Sequence, residues 1–121
     1  MKNLILIVED NKDLAQLLEK ILQFQGYITQ IAHNGEDGWS KVVDEEPKVV
    51  VTDVNVPKMN GFKLLQKIKK HYKNIEVIII TADSDTRDGA EAIEMGAFGF
   101  IHKPFDNQDL IDLIEKVFNN E

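Results

Sequence analysis

The chain has 121 residues, no cysteine and a formal net charge of −7. That length fits one domain that buries roughly two thirds of its unfolded surface without a covalent staple. The missing thiols exclude disulfides, zinc–thiolate sites and thiol catalysis, and the acidic balance argues against direct binding of a nucleic-acid backbone by this chain.

Met1-Lys2-Asn3 leads into the apolar run Leu4–Val8. The run is too short for a signal-peptide core or a membrane span, so a soluble cytoplasmic protein without membrane contact is expected. Continuous rather than alternating apolarity predicts a strand covered on both faces. Leu14, Leu17, Leu18, Ile21 and Leu22 then follow helical spacing up to Gly26. Residues 27–32 read as a second strand, and Asn34-Gly35 turns into a helix that carries Trp39, Val42 and Val43.

Pro47 opens a third strand over 49–52. A loop over 57–61 follows, then a helix with Leu64, Leu65 and Ile68; the lysine-rich stretch of Lys58, Lys63, Lys67, Lys69, Lys70 and Lys73 forms a wet helix face or a docking patch. The fourth strand covers 76–80. A weaker helix runs through Ala90, Ile93 and Met95 to Gly96. The fifth strand covers 98–102, and Asp106 or Asn107 caps a last helix striped by Leu110, Leu113, Ile114, Val117 and Phe118.

Five strands alternating with five helices predict an α/β fold, a doubly wound parallel sheet with helices on both faces. Right-handed crossovers leave few strand orders. In such sheets ligands bind beyond the carboxyl ends of the strands, where the order reverses. In the order 2-1-3-4-5 the first and third strands meet there.

Four strand ends carry polar residues of one chemical kind. Glu9 and Asp10 follow the first strand, Asp53 the third, Thr81 the fourth, and Lys103 with Pro104 the fifth. Singly, each has an ordinary explanation: Asp10 as a helix cap with Asn11, Asp53 as a turn residue, Thr81 as a common strand residue, Lys103 as a solvated strand end. Jointly they form a site for phosphoryl chemistry. Clustered carboxylates call for a cation. Magnesium, with its oxygen ligands, suits Asp10, Asp53, Glu9 and the backbone carbonyl of Asn55, and Mn2+ is a substitute. Asp53 is the best candidate for a nucleophile that accepts phosphate. Lys103 and the Thr81 hydroxyl would neutralise the remaining phosphoryl oxygens, with small Ala82 leaving room and Asp83 and Pro104 flanking the site. His33, His71 and His102 receive no catalytic or metal role. His102 has opposite strand parity to Lys103 and is expected to point away from the site.

With these residues in place, the chain resembles the receiver domain of two-component response regulators, chemotaxis receivers included. The resemblance rests on Ile7-Val8-Glu9-Asp10-Asn11, on the segment from Asp53 through Pro57 to Gly61, on Ile80-Thr81-Ala82 and on the segment from Gly96 to Phe105. It implies a flavodoxin-like (βα)5 three-layer sandwich of order 2-1-3-4-5, a single receiver domain over 1–121, and a cis Lys103–Pro104 bond. It further implies Mg2+-dependent phosphorylation of Asp53 by a sensor histidine kinase or histidine phosphotransfer protein. Thr81 and Phe100 would form a switch pair that regulates an effector or output domain, with phosphorylation-dependent homodimerisation as an option.

Such a chain is no conventional enzyme; it catalyses its own phosphorylation and dephosphorylation. Glu9 stands where aspartate is commoner, Val56 where methionine is usual, Asn60 where aspartate is usual, and Phe100 where tyrosine is commoner. Without a hydroxyl, Phe100 loses any readout through that group, and its ordinary explanation is a core aromatic. A flavodoxin-like cofactor binder shares the fold, but Glu9-Asp10 would repel its phosphate. A haloacid-dehalogenase-type phosphatase would carry a second aspartate at Asn55. A phosphate-independent protein-binding module is the remaining alternative.

Overall fold

The computed structural model describes residues 3–82 and 86–119. Strands β1 (Leu4–Val8), β2 (Ile28–Ala32), β3 (Val49–Asp53), β4 (Glu76–Thr81) and β5 (Gly99–His102) alternate with helices α1 (Lys12–Phe24), α2 (Gly35–Glu45), α3 (Gly61–His71), α4 (Thr86–Glu94) and α5 (Asn107–Asn119). The strands form one parallel sheet of order β2-β1-β3-β4-β5, so β1 and β3 are neighbours at the reversal.

Side-chain alternation divides the apolar runs between two cores. Leu6, Val8, Val50, Val77 and Ile79 pack with Val42 of α2, with Leu64, Leu65 and Ile68 of α3 and with Ala92 of α4. Ile5, Ile7, Val49, Val51, Ile78 and Ile80 pack with Leu18 and Leu22 of α1 and with Leu110, Ile114 and Val117 of α5. Both faces of β1, β3 and β4 are therefore dry, which is why their sequences do not alternate between apolar and polar.

Asparagine starts three of the helices. Asn11, Asn34 and Asn60 accept hydrogen bonds from the backbone N–H of Leu14 (3.0 Å), Asp37 (2.8 Å) and Lys63 (2.9 Å). Each occupies an orphan donor of a first turn. The first cap is thus Asn11 alone and leaves Asp10 exposed. Asn60 is a cap as well as a turn residue.

The apolar stripes depart from simple spacing. Leu17, Val43 and Ile93 are about half exposed. Among the described side chains of α4 the inward residues are Gly89 and Ala92, while Ala90 is exposed. Two strands start one residue late, at Ile28 and Gly99. Tyr27 instead stacks on Phe118, with ring centroids 5.0 Å apart. The lysine face of α3 is only partly wet: Lys69 Nζ donates to the carbonyl of Ile75 (3.0 Å), and Lys67 lies over the Trp39 ring.

Candidate functional site

The carboxyl ends of β1, β3 and β5 bring Glu9, Asp53 and Lys103 together. Their parity explains it. Ile7, Val51 and Ile101 all face the α1–α5 core, and two residues further on each strand places Glu9, Asp53 and Lys103 toward the same side. Lys103 Nζ lies 2.5 Å from Asp53 Oδ2 and 3.6 Å from Glu9 Oε1. The Lys103–Pro104 bond is cis.

Each carboxylate also accepts from backbone. Asn55 N–H donates to Asp53 Oδ1 and Asn11 N–H to Glu9 Oε2, both at 3.1 Å. The loop after Asp53 folds back over the strand end, where Val54 N–H donates to Ile80 O and Gly61 N–H to Val54 O. A Cβ on Gly61 would meet Asp53 O at 2.4 Å, so only glycine permits this approach. Lys58, in the same loop, has φ +69°, an uncommon conformation for a residue with a side chain.

Glu9 and Asp53 are almost fully buried, with relative exposures of 2% and 4%. Burial is the main reason the Glu9 carboxyl is pushed up to about 7. The Asn11 N–H opposes that shift, the adjacent Asp53 charge adds to it, the protonated acid gains a hydrogen bond to Asp53, and the Lys103 charge lowers it. Burial would lower the Lys103 ammonium, but its hydrogen bond to Asp53 and the charges of Asp53 and Glu9 outweigh burial and raise it.

Two buried carboxylates facing one ammonium leave a negative surplus. Glu9 Oε1 is buried without a hydrogen-bond partner. An all-oxygen donor set with such an orphan atom fits a hard divalent cation. Among the described residues, no three His, Cys, Asp or Glu side chains are already arranged around an ion position. Asp10, next in sequence to Glu9, is exposed, as are Asn55, Ala82 and Pro104. Asp83 lies outside the described residues.

A model of the response regulator receiver domain matches residues 5–115. The chain belongs to the receiver domain family. The receiver is 33% identical over 114 residues to Regulatory protein AtoC of Escherichia coli K12, covering 94% of this chain and 25% of AtoC. To Response regulator ArlR of Staphylococcus aureus Mu50 it is 34% identical over 117 residues, covering 97% of this chain and 53% of ArlR. The chain thus spans about a quarter to a half of these curated relatives.

A solved receiver domain protein from Clostridium thermocellum superposes with a TM-score of 0.92 at 29% identity, covering 97% of this chain and 94% of that one. The chemotaxis response regulator CheY4 of Vibrio cholerae gives 0.88 at 26%, covering 97% and 99%. The expected two-component class and strand order are those found. Phosphorylation and magnesium binding are general features of the receiver family.

His102 points away from Lys103, as parity demands, and its Nδ1 lies 2.7 Å from the Thr81 hydroxyl oxygen. The parallel register pairs Thr81 with His102, so the two side chains share a face. Pairing the ends of the fourth and fifth strands one to one would have revealed this contact. His33, also left without a catalytic or metal role, holds its Nδ1 3.0 Å from the Glu9 carbonyl oxygen.

Proposed function

We propose that Asp53 is the phosphoacceptor of a two-component signalling protein, charged by a sensor histidine kinase or a histidine phosphotransfer protein. The observation that carries this reading is the buried Asp53 carboxylate, ion-paired to Lys103 and flanked by Glu9. The receiver acts as a single unit over 1–121, in the cytoplasm, without membrane or direct nucleic-acid contact. Among the described residues no helix is long and apolar enough to cross a membrane.

In phosphoryl transfer an Asp53 oxygen attacks phosphorus while the P–N bond of the donor phosphohistidine breaks, and the departing imidazole takes up a proton. The product is an acyl phosphate. Lys103 stays with the charge as it moves from the carboxylate to the phosphoryl oxygens, and the Thr81 hydroxyl and backbone N–H groups bind the rest. Asp10, Asp53, Glu9 and the Asn55 carbonyl would hold Mg2+, or Mn2+ in its place. That ion, when bound, supplies charge neutralisation at the phosphoryl group. Hydrolysis restores the carboxylate when water attacks phosphorus and the acyl oxygen leaves.

The phosphoryl group draws Thr81 inward, and Phe100 turns into the vacated space. Moving a two-state ratio from 1:99 to 99:1 takes roughly 5.5 kcal/mol of differential binding. Two or three charge-assisted hydrogen bonds of about 1.5–3 kcal/mol each are of that order. The switched face then engages an effector or output domain, or a second receiver. Intact mass after incubation with Mg2+ and acetyl phosphate tests the reading. Wild type should gain one phosphoryl group and Asp53→Ala none; a wild type that gains none with any donor returns the chain to a phosphate-independent binding module.

A further inference from the structure

The end of the sheet carries two sets of side chains on opposite parities. Glu9, Asp53 and Lys103 continue the face packed on α1 and α5. Thr81, His102 and Phe100 lie on the other face, because the register pairs Thr81 with His102 and Ile79 with Phe100, and Ile79 belongs to the core under α2, α3 and α4. Thr81 is fully buried, with its hydroxyl oxygen 2.7 Å from His102 Nδ1. The imidazole meets the Phe100 ring edge-on, with centroids 5.3 Å apart and planes at 82°. The Phe100 ring in turn occupies the space over Gly89 of α4, where a Cβ would come within 2.4 Å of it. The imidazole thus joins the two proposed switch residues on one face.

We propose that His102 is a positioning residue that latches the Thr81 hydroxyl on the Phe100 side of β4, in competition with the phosphoryl group on Asp53. With Nδ1 unprotonated, the ring accepts the hydroxyl proton that a phosphoryl oxygen would otherwise accept. With Nδ1 protonated, it donates to the hydroxyl oxygen. Either way the oxygen is held on the face opposite Asp53 and Lys103, and activation has to break this hydrogen bond. A cavity of about 580 Å3 borders His102, Phe100, Phe105 and Leu113, so the ring has space to leave. The latch rests on the phosphoacceptor reading and adds to it a side chain that sets the resting equilibrium.

The test measures beryllofluoride affinity in the presence of Mg2+ by calorimetry, beryllofluoride standing for the phosphoryl group. One neutral hydrogen bond corresponds to about a 5-fold effect. His102→Val should bind the probe roughly 3- to 10-fold tighter than wild type, with His102→Leu as a second apolar variant in case one fails to fold. His102→Asn, which keeps an acceptor near the place of Nδ1, should return the affinity to wild type. In a Thr81→Ala background the His102→Val gain should vanish, because the latch acts through that hydroxyl. Unchanged affinity in both apolar variants, or an equal gain in the Thr81→Ala background, overturns the latch alone. A wild type that neither binds the probe nor gains phosphoryl mass overturns the phosphoacceptor reading and the latch with it.

Discussion

Lys103 places its ammonium 2.5 Å from Asp53 Oδ2 across a sequence separation of 50 residues. The contact joins β3 to the end of β5, which are not neighbours in the sheet, since β4 lies between them. A buried carboxylate is stabilised only while paired, so this ammonium serves the resting fold as well as the chemistry.

Lys103→Met removes that partner and leaves Glu9 and Asp53 facing each other in a buried pocket. Without divalent cation, stability should fall by about 1–3 kcal/mol, below the range for fully buried pairs because Lys103 is partly exposed. The double variant Lys103→Met/Asp53→Asn should recover most of the loss, since it also removes the orphaned charge. Urea unfolding in chelator checks both variants, and equal stabilities for wild type and Lys103→Met would contradict the ion pair's role.

Gly61→Ala tests the loop that covers Asp53. The added methyl would sit 2.4 Å from Asp53 O and 3.0 Å from Val54 Cα, both backbone atoms that cannot rotate away. The loop or the end of β3 has to move. Overpacking of this kind costs roughly 1–3 kcal/mol. A lower melting temperature should come with slower Asp53 phosphorylation, because the moved segment carries Asn55. Wild-type values for both would show that the loop relaxes freely.

Much of this molecule is legible in its sequence because one rule governs most of it. Continuous apolar runs mark β1, β3 and β4 as buried on both faces, and the polar residues that end those runs mark the site. The weaker elements follow subtler rules. Among the described residues of α4 the inward positions are a glycine and an alanine, so the apolar stripe is too faint to orient the helix, and Ile93 draws the eye to the exposed side. His102 escapes a strand-by-strand reading because its relation to Thr81 depends on register between strands. Gly61 looks like an ordinary turn glycine until its distance to Asp53 O is known.

Thr81→Ala separates phosphorylation from switching. The side chain is buried but lies on the face opposite the Asp53–Lys103 pair. The variant should still gain phosphoryl mass at Asp53, with folding stability reduced by about 1 kcal/mol for the lost hydrogen bond. The phosphorylation-dependent change in amide resonances of α4 and β5 should shrink markedly. A full wild-type change in those resonances would break the proposed coupling.

Asn55 sits at the mouth of the site. Its backbone N–H holds Asp53 Oδ1 while its side chain is exposed. Asn55→Lys keeps the backbone contact and places a long cationic chain where water approaches the acyl phosphate. The phosphate lifetime should change several-fold with little effect on stability. Decay followed by intact mass measures it, and an unchanged lifetime removes Asn55 from the control of hydrolysis.

Glu9 gives the metal-free receiver a pH dependence whose sign is fixed. Its carboxyl is raised from 4.5 in the unfolded chain to about 7 in the fold, chiefly by burial. Below pH 4.5 both states are protonated there and the group costs nothing. Between pH 4.5 and 7 the folded state holds more proton than the unfolded one, so stability falls as pH rises, then levels off above 7. The loss is about 3.5 kcal/mol at most, since one pH unit corresponds to roughly 1.4 kcal/mol. Chelated wild type should therefore lose melting temperature from pH 5 to pH 7.5 relative to Glu9→Gln, whose neutral amide has nothing to titrate. Added Mg2+ should reverse the trend, because a cation favours the ionised carboxylate and its binding stabilises the fold by mass action. Parallel pH profiles for wild type and Glu9→Gln in chelator would show that Glu9 is ionised in the resting fold, and that Lys103 alone balances both acids.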